Sequence, residues 1–221
     1  MRLPILGFAV VLTIASISVM AWSQVTAPEN PKTPWQEVVV AVTDQPDEHF
    51  QKAREDFLKG DKKDAAMEIR KAAEFFKLDA SYATGKEKTS LLTSFQELER
   101  LAKAVEDGTA ASIKELDRAF SRAEYGMARH QYKKASEYLS KKESKRAGHA
   151  LKGAALNLEH AAKRAGLKLE AESLAAIEDA RRVAGKLIKG AESAPSEFER
   201  AAKRLGEEME KVGKKLEPGR G

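Results

Sequence analysis

TAASIKELDRAFSRAEYGMARHQYKKASEYLSKK, residues 109–142, contains no proline and one interior glycine, Gly126. Within it Ile113, Leu116, Phe120, Ala123 and Met127 recur at alternating steps of three and four, the seam of a helix packed on other helices. About 33 helical residues would span roughly 50 Å at 1.5 Å per residue, which is long for one globular helix. The stretch therefore reads as two helices fused end to end: the last helix of one unit and the first helix of a copy of that unit. The seam should then pass, near Ala128, to another set by Ala135, Tyr138 and Leu139. A straight helix would couple the two units rigidly, whereas a kink at Gly126 would let them move.

The copy is visible when the chain is shifted by 82 residues, which overlays it on itself without a gap. Ala65 falls on Ala147, Ile69 on Leu151, Ala72 on Ala154, Arg100 on Arg182, Gly108 on Gly190, Arg122 on Arg204 and Met127 on Met209. Core falls on core and helix stop on helix stop, the mark of a repeat. The expected fold is all-α: two tandem four-helix units, 47–127 and 128–213, joined through the long shared helix. Such units could be separate bundles on a common strut or stacked helical hairpins.

The helices around this junction are read from apolar stripes and their stops. Helices are expected over 47–59, closed by Gly60 and followed by Asp61 as a cap, over 61–81, and over 86–107, closed by Gly108. Beyond the junction they are expected over 144–164, closed by Gly166, over 167–189, closed by Gly190, and from Ser193 or Ser196 to about Val212. Residues 214–221, with Pro218 and two glycines, form a tail that should fray. The phrase FLKGDKKDAAMEI, Phe57–Ile69, resembles the turn of αα-hairpin repeats such as tetratricopeptide units. It covers 13 residues and lacks the large aromatic positions of such a unit, so the likeness is one of hairpin geometry.

Composition agrees with helix. Of the 221 residues 33% are charged and only 6% aromatic, a balance that favours helix over sheet. No cysteine is present, which excludes disulfides, thiolate zinc, iron–sulfur clusters, covalent haem and a cysteine nucleophile within the chain. At the N-terminus, Arg2 precedes the apolar run LPILGFAVVLTIASISVMA, with small residues at two plausible cleavage positions, Ala21 before Trp22 or Ser23 before Gln24. Residues 1–23 are thus expected to be a signal peptide directing the chain to the periplasm or outside the cell. A run of this length could also remain as an uncleaved inner-membrane anchor. Residues 24–46 read as a linker with Pro28, Pro31, Pro34 and Pro46. Inside it, TPWQEVVVAV could be a short helix or an extended segment, docked through Trp35 and the valines.

The net charge of +5 is unevenly spread. Residues 24–127 carry 16 Lys+Arg against 20 Asp+Glu, and residues 128–221 carry 22 against 14. The halves could attract one another, within the chain or between copies, or the basic half could attract an anionic surface. Candidates for the latter are Lys141, Lys142, Lys145, Arg146, Lys163, Arg164, Lys168, Arg181 and Arg182. Nucleic acid is not expected as a partner, because no aromatic residues interleave with these cations as a stacking platform requires.

Four histidines, His49, His130, His149 and His160, are the metal-ligand candidates. His149 and His160 lie on one helix, roughly 16 Å apart by the 1.5 Å rise, so they cannot share an ion. They overlay Met67 and Leu78 in the shifted copy, which favours packing roles. No Glu-x-x-His pair, H-E-x-x-H or calcium-loop pattern occurs. Catalytic motifs such as G-x-S-x-G or a glycine-rich phosphate loop are also missing. The sequence therefore points to a non-enzymatic exported helical protein, with no cofactor, that binds or scaffolds partners in the cell envelope, including under stress. The partners would be an envelope protein or an anionic lipid surface. The alternative is a metal- or haem-binding bundle, with haem held by Met127 or Met209 and a histidine.

Overall fold

The long stretch forms one continuous helix, Ile113–Ser140, in a computed structural model of the protein. The structure describes residues 45–110, 112–191 and 194–216; the expected signal peptide, all but the last two residues of the linker, and residues 217–221 of the tail lie outside them. Seven helices and no strand are found among the described residues: α1 Gln45–Lys59, α2 Lys62–Tyr82, α3 Gly85–Glu106, α4 Ile113–Ser140, α5 Ser144–Arg164, α6 Ala171–Ile188 and α7 Ala194–Leu216. The protein is all-α, as its periodicity predicts.

The helix ends share one device. After α1, α3, α4, α5 and α6 the chain enters the left-handed region, at Gly60, Gly108, Lys142, Gly166 and Gly190. In each case the next N–H donates back five residues, as Asp61 does to the carbonyl of Asp56 and Glu143 to that of Tyr138, both at 2.9 Å. These bonds satisfy carbonyls that a helix end would otherwise leave orphaned.

Two helix starts and one cap differ from the sequence reading. α4 begins at Ile113 rather than Thr109, because Thr109 and Ala110 both donate to Ala104 in the closing turn of α3. Ser112 then caps α4, its side chain accepting from the N–H of Glu115, an S-x-x-E start. α6 begins at Ala171 rather than Leu167. Residues 167–170 are not helical, and Leu167 and Leu169 both pack on the core, as alternate residues of an extended segment can. Asp61 stands at the N-cap of α2 but makes no side-chain capping bond.

Two apolar cores form. One gathers Phe50 of α1, Ile69 and Phe76 of α2, Leu91 and Leu98 of α3, and α4 as far as Met127. The other begins at Ala128 and gathers Leu151 and Leu158 of α5, Ile177 and Leu187 of α6, and Leu205 and Val212 of α7. The first is aromatic, with Phe50 and Phe120 stacked at 4.3 Å between centroids. Each fully buried phenylalanine contributes about 2–3 kcal/mol. The second is built mainly from alanine and leucine, so its helices approach closely. A Cβ at Gly148 of α5 would lie 2.7 Å from the carbonyl of Ala184 on α6.

α4 carries the partners of both cores. α5 packs along it, and the buried Ser121 hydroxyl donates to the carbonyl of Ala161 at 2.6 Å. α7 meets the middle of α4 through a matched pair of spacings. Tyr125 and Tyr132 sit seven apart on α4, and Gly213 and Gly206 sit seven apart on α7. The Tyr125 ring lies where a Cβ at 213 would be, with its Cζ 2.7 Å away, and Tyr132 Oη lies 2.9 Å from a Cβ at 206.

Candidate functional site

Between the N-terminus of α3, the middle of α4 and the C-terminal half of α7 lies a groove of about 870 Å³. Its floor exists because α7 meets α4 through glycine, and Tyr125, Tyr132 and Met209 line it together with Leu216. Its cations are Lys86, Arg122, Arg129, Lys133 and Lys214, and its carboxylates are Glu87 and Glu210. Lys133 Nζ donates to Glu87 Oε2 at 2.7 Å, and that hydrogen bond holds the Glu87 carboxyl below the usual range. Arg122 Nε donates to Glu97 Oε2 at 3.4 Å. Burial pushes the Tyr132 phenol up, with Glu210 adding to it, so the floor presents a neutral hydroxyl. Chemically, the groove offers excess positive charge at its rim and aromatic and aliphatic surface at its base.

A second assembly lies where α1, α4 and α5 meet. Arg164 near the end of α5 is 9% exposed. Its Nε donates to Glu124 Oε1 at 2.8 Å, and its Nη2 donates to Asp47 Oδ1. The guanidinium also lies 5.6 Å from the Phe50 ring centroid and 5.8 Å from that of Phe120. His160, one turn earlier on α5, places Nδ1 3.5 Å from Asp47 Oδ1. Glu124 is 1% exposed, and its Oε2 has no hydrogen-bond partner. Burial raises the Glu124 carboxyl to about 8; Arg164 opposes the rise and Asp47 adds to it.

The four histidines do not converge. His49 Nδ1 is 2.6 Å from Glu68 Oε2 on α2, and the ring stacks on Phe75. His130 is buried beside Glu87, Lys133, Lys134 and Glu137, where burial first and Lys134 second lower it to about 4. His149 is half-buried on α5, lowered by burial and Lys152. Among the described residues, His160 is the histidine with a ring nitrogen within 4.8 Å of ligand oxygens from two carboxylates, Asp47 and Glu124. Of the four candidates, one, His160, stands in a mixed cluster, and His49, His130 and His149 lie elsewhere in the fold.

The predicted basic surface also separates. Lys141, Lys142 and Lys145 are exposed at the turn entering α5, while Lys163 and Lys168 are exposed at its far end, roughly 30 Å away along a 21-residue helix. Arg146 pairs with Glu143, Arg181 with Glu159, and Arg182 with Asp179 at 2.5 Å and Glu197 at 2.9 Å. Arg164 is inside the buried cluster. Each of these arginines is paired with a carboxylate close to it in space, although Arg181 Nε is buried without a hydrogen-bond partner; counting charge along the chain cannot reveal such pairings.

The sequence reading missed the groove cations and the pair Asp47 and Glu124. Two signals were present. Glu124 falls on the apolar seam between Phe120 and Met127, where a carboxylate is out of place. The seven-residue spacings of tyrosine on α4 and glycine on α7 mark a crossing. The chain matches no protein-family model, no curated protein and no solved structure.

Proposed function

We propose that this is an exported, non-enzymatic binding protein of the cell envelope that takes a lipid-like anion in the groove between α3, α4 and α7. The observation that carries this reading is the chemistry of the groove: five cations against two carboxylates above a base of tyrosine, methionine and leucine. Such a lining suits a phosphate or carboxylate head joined to an apolar tail, with charge at the rim giving orientation and the floor giving apolar burial.

The same proposal holds that the framework arose by duplication into two tandem four-helix units sharing α4. Three observations support it. α2 and α5 have the same length and bounds offset by 82 residues. The left-handed residues Gly60 and Gly108 fall on Lys142 and Gly190 at that offset. The two cores divide between Met127 and Ala128. The groove then lies at the seam between units.

Calorimetric titration of the purified protein with dodecyl phosphate below its micellar concentration tests the reading. Binding should weaken as salt rises, and dodecanol and inorganic phosphate should each bind far more weakly. Arg129→Gln combined with Lys214→Gln should weaken dodecyl phosphate binding roughly 25-fold, at about 1 kcal/mol for each exposed cation. Lys141→Gln with Lys142→Gln should leave it unchanged. Dodecanol binding as tightly as dodecyl phosphate, or a groove variant indistinguishable from the parent, would refute the proposal.

A further inference from the structure

We propose that Asp47, Glu124 and His160 form a site for one divalent transition-metal ion of the zinc, cobalt or iron(II) class where α1, α4 and α5 meet. One donor atom from each residue lies within 4.8 Å of the other two. The 3.5 Å between His160 Nδ1 and Asp47 Oδ1 is close to the roughly 3.4 Å between two ligands on one tetrahedral ion at bonds of about 2.1 Å. The three residues come from three helices whose packing holds them there. The stacked Phe50 and Phe120 rings lie beside the Arg164 guanidinium that bridges Asp47 and Glu124.

One carboxylate oxygen of the cluster, Glu124 Oε2, is buried with no hydrogen-bond partner. An orphaned buried polar atom requires an explanation, and an ion is one of the standard ones. Arg164 engages Oε1 of Glu124 and Oδ1 of Asp47, which leaves the second oxygen of Glu124 for the ion. In that arrangement Arg164 is an outer-shell donor that orients both ligating carboxylates. One imidazole nitrogen with two carboxylates selects transition metals over calcium and magnesium, which take oxygen alone. Three protein ligands leave coordination positions for water or a small anion.

The site is independent of the groove and is tested separately. Addition of cobalt(II) to the purified protein should produce visible absorption bands at one equivalent, and zinc should abolish them by competition. Asp47→Asn and His160→Ala should each weaken binding at least 100-fold, and Arg164→Gln about tenfold. His149→Ala should leave binding unchanged. Circular dichroism accompanies each variant. His160 is 23% exposed, so its alanine variant should fold even if a Glu124→Gln variant does not. Absence of cobalt bands in the parent protein, bands that persist in both Asp47→Asn and His160→Ala, or bands lost in His149→Ala would overturn the assignment.

Discussion

Lys142 holds φ at 62°, the only non-glycine with positive φ among the described residues. It closes α4 by the same backbone device that glycine supplies at four other helix ends. A side chain in this region costs about 1 kcal/mol relative to glycine, and Lys142 is exposed, so nothing in the packing requires its side chain. Lys142→Gly should therefore raise the unfolding free energy by about 0.5–1 kcal/mol, read as a higher denaturant midpoint at an unchanged slope. A lower midpoint would mean that the lysine stem contributes more than its backbone costs. Glu124 is the opposite kind of residue: acidic, almost fully buried and set on an apolar seam. Its position could be read from the chain, but its partners could not. Asp47 and Arg164 lie 77 and 40 residues away from it, and no helical spacing connects them.

At the scale of elements, periodicity located all seven helices, and most stops fell at the glycines. The misplaced starts of α4 and α6 have a common cause. Thr109 and Leu167 are sterically able to be helical, but each is drawn into the closing turn of the preceding helix. Local bonds across a turn win over a pattern measured along it. The crossing of α4 and α7 depends on shape. Gly213→Ala would set a Cβ against the Tyr125 ring, and the overpacking, about 1–3 kcal/mol, should outweigh the alanine preference of about 1 kcal/mol. Gly185, in α6, has nothing within 4 Å of a Cβ, so Gly185→Ala should stabilise by up to about 1 kcal/mol. Thermal unfolding of the two variants side by side should give midpoint shifts of opposite sign. A Gly213→Ala protein as stable as Gly185→Ala would show that the two helices separate at little cost.

For the whole molecule, the uneven charge is partly spent inside the chain. Arg164 of the basic half pairs with Asp47 and Glu124 of the acidic half, and Lys133 with Glu87. These contacts bind the halves at their shared helix. His130 stands at the same junction, facing Glu87 from α3 with Lys133, Lys134 and Glu137 on α4. Its folded value is near 4, below its ordinary 6.5, so the unfolded chain binds its proton more readily. The stability that its neutral form provides is complete above pH 6.5 and is lost as pH falls through 4, up to about 3 kcal/mol. Denaturant titrations between pH 7 and 4 should show this loss in the parent and a flatter profile in His130→Gln. Equal slopes in the two proteins would place the acid sensitivity elsewhere. Glu68, held at about 2 by hydrogen bonds from Lys52, Lys71 and His49 against the opposing effect of burial, loses its contribution in a lower window, below about pH 4.5.

Class of fold, helix order and the long central helix are local properties, written in the spacing of apolar residues and the placement of glycines over a few turns. The halves of α4 serve different cores because the apolar stripe itself changes face near Ala128. The ligand-bearing features are of another kind. The groove depends on tyrosines of α4 meeting glycines of α7 some 80 residues later, and the buried cluster depends on three helices ending at one point. Charge and hydrogen bonding act over a few ångströms in space, whereas the chain records only separation in sequence. Packing alone decides which of the many lysines, arginines and carboxylates become neighbours, and which are left to solvent.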